Sequence, residues 1–444
     1  MIRLLHGFYR MAQRVSRWIR RRFTTAGGFF VIGILLSGGA SNPDQTMGLQ
    51  VFLVLSAFLG LAVLTAPFFR LRYSLERQAP RCVTAGESFG VRVRVRNLTS
   101  RNQRGLEYLE DLSEPPLTSA EFAARLNPGR GNQSFRLGSS LPPIRPAQAR
   151  STPLPPIPPQ GSVEVSLELV AWRRGPLILA GGIVTRTDPF GLFRAFSRVA
   201  SPQTVLVLPQ RYPLPPLTLP GQSHYQRGGV AMAAGVGETE EFVALREYRR
   251  GDSLRRVHWR SAARLGELVV KEFQDEYLVR HALVLDTFCE ASQDALFEEG
   301  VAVAASFACT VPDQESLLDL MFVAPQTVCV TSGRGVGHAQ QMLEVLAAVK
   351  PVREPRMSQL EGLILEHRVS LSGCLLVLLG WDESRRALVR RLKIHGLPTL
   401  VMLLVPQGKA KAFAPGPPAD QPDQLVVLEV GRVEEGLRTL EGIR

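Results

Sequence analysis

"HALVLDTF", residues 281–288, is an unbroken apolar run that ends near a carboxylate, Asp286. A strand that is apolar on both faces belongs in a sheet covered on both sides. The same texture returns in "SLLDLMFVA" (316–324), "GCLLVLLGW" (373–381) and "LPTLVMLLVP" (397–406), and more weakly in "TVCVTSG" (327–333) and "QLVVLEV" (424–430). The second and third of these runs in chain order, 316–324 and 327–333, are paired across a short turn. Helical spacing fills the gaps at about Gln293–Cys309, at 338–350 and at 382–396, the last with Asp382 as N-cap and Gly396 as its stop. "RVEEGLRTLEG" (432–442) closes the chain. Alternating strands and helices predict a doubly wound α/β fold with a buried parallel sheet over residues 279–444.

In such a sheet, ligands bind beyond the C-terminal strand ends. Asp286 stands there, followed by Thr287, Phe288, Cys289 and Glu290. The von Willebrand factor A fold places a D-x-S-x-S cation site at this point, and a hard cation such as Mg2+ needs several oxygen ligands. Here Phe288 and Glu290 occupy the serine positions. No cofactor is therefore expected; Asp286 remains the candidate ligand of a competing metal-dependent reading, and otherwise caps the following segment. "SGRGVGH" (332–338) lacks the Lys-Ser/Thr of a phosphate loop and the spacing of a dinucleotide fingerprint. Zinc spacing, a G-x-S-x-G elbow and an H-E-x-x-H helix are absent from the sequence.

Upstream lies "EFVALREYRRGDSLRRVHWRSAARLGELVVKEF", residues 241–273. It reads as strand, turn, short helix and strand. The helix is expected from about Leu254 to Leu265, capped by Asp252 or Ser253 and stopped by Gly266. On it Arg256, Arg260 and Arg264 fall at i, i+4 and i+8, forming one basic stripe, while Leu254, Val257, Ser261 and Leu265 face inward. Glu247 and Asp252 sit among the arginines and can pin the turn through bidentate pairs. His258 and Trp259 offer a stacking face or an anchor. His258 is the one candidate base, without an obvious orienting partner. A nucleic-acid grip fits the charge but lacks a matching fold and interleaved aromatics.

Residues 70–227 have a different texture. "VRVRVR" (91–96) alternates strictly, and "GSVEVSLELVAW" (161–172) repeats the pattern. Period two with β-branched residues means half-buried strands, here of a small antiparallel sandwich. The Pro-rich stretch 115–160 is expected to be an exposed excursion. "DPFG" (188–191) reads as a tight turn. Residues 228–278 carry a mobile linker and then the Arg-rich motif.

The N-terminal region is set for a membrane. Residues 1–23 hold seven Arg and no acid, a large share of the net charge of +12. Their apolar positions (Leu5, Phe8, Ala12, Val15, Ile19) suggest a basic amphipathic helix on anionic lipid. Two apolar segments follow, about 24–40 and 47–69, making up the 24–69 region. Basic residues flank their outer ends only, so both termini and the soluble domains are expected in the cytoplasm. A leader cleaved after "SGGA" (37–40), or an organellar transit peptide, is the competing interpretation. The five Cys are odd in number and lie mostly in apolar runs, as reduced buried thiols do.

The motif resembles the signature of a bacterial family, domain of unknown function fifty-eight. The likeness is carried by Arg246, Glu247, Tyr248, Gly251, Asp252, Arg256, His258, Trp259, Ala263, Arg264, Lys271, Glu272 and Phe273. "RRGPLIL" and "DPFGLF" resemble that family too. The resemblance implies a von Willebrand factor A-like cytoplasmic domain on a membrane hairpin, in partnership with a MoxR-type AAA ATPase. The expected function is thus a non-enzymatic, membrane-anchored adaptor. Arg256, Arg260, Arg264, His258 and Trp259 would dock the partner, and Arg246, Glu247, Tyr248, Gly251, Asp252 and Lys271 would hold the motif. A metal-dependent binding module at Asp286, and a hydrolase or nuclease centred on His258, are the alternatives.

Overall fold

The computed structural model describes Met11, Val15 and residues 22–39, 46–65, 72–113, 147–149, 151–215, 241–274, 279–290, 293–310, 317–332, 336–354, 356–410, 416–417 and 421–442. It divides into two compact units, Met1–Leu208 and Pro209–Arg444.

The first unit begins with two apolar helices, α1 (Thr25–Gly39) and α2 (Thr46–Thr65). Among the described residues, α2 is the one helix long and apolar enough to cross a membrane, over Met47–Leu64. With 15 residues, α1 falls short of that length. At ~1.5 Å per residue it spans roughly 22 Å, against a hydrocarbon core of ~30 Å. The expected pair of spans is therefore one candidate span with a shorter apolar companion. Gly33 and Gly38 of α1 leave room for Leu55 and Phe52 of α2. The basic helix expected over residues 2–19 lies, except for Met11 and Val15, outside the described residues.

The rest of this unit is a two-sheet sandwich. Its strands are β1 (Tyr73–Gln78), β2 (Cys82–Thr84), β3 (Ser88–Asn97), β4 (Leu106–Leu112), β5 (Ala147–Ala149), β6 (Thr152–Leu154), β7 (Ser162–Ala171), β8 (Gly175–Thr187) and β9 (Arg194–Leu208). One sheet runs β1-β3-β7-β5 and the other β2-β9-β8-β4-β6. The strict alternation in β3 does what period two requires. Val91, Val93 and Val95 are sealed in the core, and Arg92, Arg94 and Arg96 point to solvent. Two expectations need correction. The sandwich is not wholly antiparallel, because β2 pairs with β9 in parallel. The end of the Pro-rich stretch is not an excursion: β5 and β6 join the two sheets, and Ile157 bridges Gln103. Residues 114–146 lie outside the described set, as does the linker expected at 228–240.

An ionic group is sealed in this core. The Arg77 guanidinium meets Glu110 at 2.6 Å, with both side chains at or below 1 % exposure. The Tyr108 hydroxyl donates to the other Glu110 oxygen at 2.8 Å. Burial pushes the Glu110 carboxyl up to about 7, against the pull of Arg77.

The second unit holds a two-stranded hairpin, β10 (Glu241–Glu247) with β11 (Val269–Gln274), and a six-stranded sheet. The sheet strands are β12 (Arg280–Leu285), β13 (Leu317–Ala324), β14 (Gln326–Ser332), β15 (Gly373–Leu378), β16 (Thr399–Val405) and β17 (Gln424–Glu429), in the order β14-β13-β12-β15-β16-β17. All pairs are parallel except β13–β14, which only Pro325 separates, too short a link for a crossover. The expected parallel sheet is therefore mixed, with an antiparallel edge.

Helices cover both faces. α6 (Met357–Glu366) and α7 (Glu383–Ile394) pack over Ala282, Val284, Leu376 and Leu403. α4 (Asp294–Thr310) covers the other face, where Gly300 lets it approach Val377, Leu379 and Leu404. α5 (Val336–Ala348) packs beside α4, and α8 (Val433–Arg438) on β17. The helix α6 was not anticipated from sequence. All five cysteines are free.

Candidate functional site

β12 and β15 run parallel, and the strand order changes sense between them: β13 and β14 are added on one side of β12, and β15, β16 and β17 on the other. The chain leaving β12 passes to α4 on one face and the chain leaving β15 to α7 on the other, and in doubly wound sheets such a parting of loops is the usual place for a ligand. β12 delivers Asp286 to that point, and its N–H donates to the Val377 carbonyl at 2.9 Å. The Asp286 side chain is fully buried. One carboxylate oxygen accepts the Phe288 N–H at 2.9 Å. The other accepts the Leu379 N–H at 3.1 Å and Arg385 Nε at 2.6 Å.

Arg385 reaches in from the first turn of α7, where Asp382 caps the helix by accepting the Arg385 N–H at 3.0 Å. The same guanidinium donates to Asp382 Oδ2 at 2.6 Å and to the Phe288 carbonyl at 2.7 Å. Burial works against its charge, but Asp286 and Asp382 outweigh that cost and raise its proton affinity. Asp382 is likewise held below the usual carboxylate range: burial opposes its charge, and the Arg385 N–H, the Ser384 hydroxyl and the guanidinium overcome it.

The residues present do not fit a metal ion. Arg385 fills the carboxylate oxygen that a cation would need, and Phe288 stands where a hydroxyl ligand belongs. Among the described residues, no three His, Cys, Asp or Glu side chains gather. Asp286 acts instead as a clasp, tying its own loop to the end of β15 and to α7. Arg385 escaped the sequence reading, although a signal existed. A cation in the first turn of a helix opposes the macrodipole and calls for a nearby carboxylate.

The Arg-rich motif folds on the β10–β11 hairpin. Register pairs Arg246 with Val270, Glu247 with Val269 and Leu245 with Lys271. Arg246 forks onto Asp252, with contacts of 2.7 and 2.8 Å. Asp252 also accepts the Arg249 N–H at 2.8 Å, and Gly251 supplies the positive φ of 112° that closes the turn. Hydrogen bonds from Arg246 and then Arg249 hold the Asp252 carboxyl down to about 2. The turn thus hangs on Asp252, while Glu247 is exposed at the strand end. Tyr248 N–H donates to the Leu268 carbonyl at 2.9 Å.

The helix expected over 254–265 is broken. Residues Leu254–Arg256 form a 3-10 turn, Val257 is extended, and α3 runs only from Trp259 to Leu265. Val257 is drawn out of the helix by a bridge to Val270, and it is buried to 4 % exposure. Arg256 therefore shares no helix with Arg260 and Arg264, and the three do not form one stripe. The inward face expected at Leu254 and Leu265 also fails, since both are exposed.

His258 precedes α3, and its Nδ1 meets the Ser261 hydroxyl at 2.7 Å. This i, i+3 contact ties the first turn of a seven-residue helix. A nucleophile and base would also need a third group to orient the imidazole. Among the described residues, Ser261 is the ring's hydrogen-bond partner.

Residues 244–378 match a known family. It is described as "Protein of unknown function DUF58". The match takes in the motif hairpin and Asp286 and stops before Arg385. A 190-residue stretch is 27 % identical to "Uncharacterized protein YeaD" of Bacillus subtilis (strain 168), covering 42 % of this chain and 46 % of that one. The chain thus spans about half the length of that relative. Among solved structures, proximal thread matrix protein 1 from the mussel byssus is similar over 36 % of this chain and 45 % of its own, at 8 % identity and a TM-score of 0.26. The CARDB domain of a Pyrococcus furiosus protein covers 29 % of this chain and 92 % of its own, at 9 % identity and a TM-score of 0.15. Likenesses at these scores carry no argument about fold or function.

Proposed function

We propose that the protein is a membrane-anchored adaptor, without catalysis of its own, that docks a protein partner through the Arg-rich hairpin and the α/β domain. The observation that carries this reading is the surface of α3. Trp259 and Leu265 are 64 % and 68 % exposed, and none of the helix residues is buried. Arg260 and Arg264 flank them, also exposed. Large apolar side chains left bare beside arginines are the composition of interface hot spots. The Val257–Val270 bridge and the His258 N–H, which donates to the Val269 carbonyl at 2.8 Å, tie the start of this helix to β11, and a surface held in place lowers the ordering cost of binding.

In this reading the strand order, with its antiparallel edge, is a von Willebrand factor A-like architecture in which the Asp286–Arg385 clasp takes the place of a metal. In the same reading α1, shorter than the hydrocarbon core, crosses beside α2 by local thinning of the bilayer, so that the two helices form a hairpin in a bacterial inner membrane with both termini and the soluble domains in the cytoplasm. The basic N-terminal segment lies on anionic lipid. A MoxR-type AAA ATPase, or its client, is the proposed partner.

The test is copurification from detergent-solubilised native membranes, with partners identified by mass spectrometry. The wild type is expected to bring down an AAA ATPase, and a Trp259→Ala/Leu265→Ser variant that remains folded is expected to lose it. Equal recovery with both would reject α3 as the docking surface.

A further inference from the structure

The turn Asp188–Phe193 joins β8 to β9 and leans on the two apolar helices. Thr24 N–H donates to the Leu192 carbonyl at 3.2 Å, and the Thr24 hydroxyl to the Gly191 carbonyl at 2.5 Å. A Cβ on Gly27 would collide with the Leu192 carbonyl, so only glycine permits this approach. Leu192 and Phe193 pack against Ala62 of α2. Phe190, 41 % exposed, meets the Phe58 ring edge-on at 6.0 Å. Phe58 lies within the candidate span Met47–Leu64. The six residue steps from Phe58 to Leu64 measure ~9 Å along a helix.

Irregular backbone cannot enter a bilayer with its N–H groups open. This turn has closed them internally. The Asp188 carboxylate accepts the N–H groups of Phe190, Leu192 and Phe193 at 3.0, 2.7 and 2.6 Å. Gly191 N–H donates to the Asp188 carbonyl at 3.0 Å, and Asp188 N–H to the Phe193 carbonyl at 2.9 Å. Beside the turn, the Arg22 guanidinium sits over the Phe196 and Phe193 rings, 4.2 and 5.5 Å from their centroids. Aromatic rings beside a basic residue at the end of an apolar span are the composition of a bilayer interface.

We propose that this turn is a second, interfacial membrane anchor: Phe190 enters the boundary between the headgroups and acyl chains of an anionic bilayer, and seats the sandwich on the membrane. The inference rests on reading α2 as a membrane span. Its depth, ~9 Å inside the end of that span, matches the ~5–10 Å reached by interfacial elements. The Asp188 bonds let the turn go there without leaving amides unpaired.

The experiment uses single-Trp variants of the full chain, reconstituted in phosphatidylcholine–phosphatidylglycerol nanodiscs with bromine carried either near the headgroup or deep in the acyl chain. The four native Trp are replaced by Phe except where one serves as reporter. Phe190→Trp reports on the turn and Leu53→Trp on the middle of α2. Native Trp172, 46 % exposed at the far end of the 13-residue β8, is the aqueous reference. Phe190→Trp is expected to lose at least half its emission to the shallow label while Trp172 keeps its own, and Leu53→Trp is expected to respond to the deep label. If Leu53→Trp is quenched and Phe190→Trp behaves like Trp172, the anchor is refuted while the span stands. If neither is quenched, α2 is not in the bilayer, and the membrane reading falls together with the anchor.

Discussion

Replacing Arg385 with Ala would strand a buried charge. Asp286 is fully buried and the Arg385 side chain is 12 % exposed, so water cannot take over the lost contacts. The variant forfeits bonds to Asp286, Asp382 and the Phe288 carbonyl. Removing one partner of a buried ion pair costs ~3–5 kcal/mol. Asp286 retains the N–H groups of Phe288 and Leu379, which places the expected loss at the lower end, about 3 kcal/mol. That is about a hundredfold in the unfolding equilibrium. The assay is urea unfolding of the full chain in detergent, followed through Trp381, which packs on the core beside Asp382. Asp286→Asn removes the charge that Arg385 answers, so the double variant should cost less than the sum of the singles by about 2 kcal/mol. A loss below ~1 kcal/mol, or additivity within ~0.5 kcal/mol, would refute the clasp.

Three further outcomes are expected. Chelation with EDTA leaves the wild-type unfolding midpoint unchanged, because Arg385 already fills the Asp286 oxygen; a drop on chelation would show a structural metal. Glu110 has its folded pKa raised from 4.5 to about 7 by burial. Its contribution to stability is therefore fully present below pH ~4.5 and is lost as pH rises through ~7. Thermal unfolding at pH 5.5 and 8 should show a shallower decline for Glu110→Gln, and an unchanged slope would contradict this. Asp252→Asn weakens the Arg246 fork, so hydrogen exchange should speed up at residues 246–257 while the six-stranded sheet keeps its protection; unchanged exchange there would mean that the fork does not hold the turn.

Much of the fold was legible because burial leaves a plain pattern. β15 and β16 are buried from end to end, as is β12 after its first residue, Arg280, and they read as apolar on both faces. β3 alternates because one face meets the sandwich core and the other water. The Asp382 cap and the Gly396 stop of α7 follow from local chemistry, and local chemistry is visible in sequence. What escaped depends on distant partners. Arg385 lies 99 residues from Asp286, and no local rule joins them. Val257 fits a helical period, yet a strand-like bridge to Val270 pulls it out and breaks the arginine stripe. The fork of Arg246 onto Asp252 was half visible: carboxylates were expected to pin the turn, and Asp252 is the carboxylate that receives both guanidinium contacts, while the Glu247 side chain is exposed.

The central claim is that α3 docks a protein partner through its arginines and its bare apolar side chains. It is tested most directly by binding a purified MoxR-type AAA ATPase to the full chain in nanodiscs. The wild type should be compared with Arg260→Glu/Arg264→Glu at low and high salt. The account predicts at least tenfold weaker binding for the variant, and wild-type binding that weakens as salt rises. Equal affinity for both proteins would contradict it.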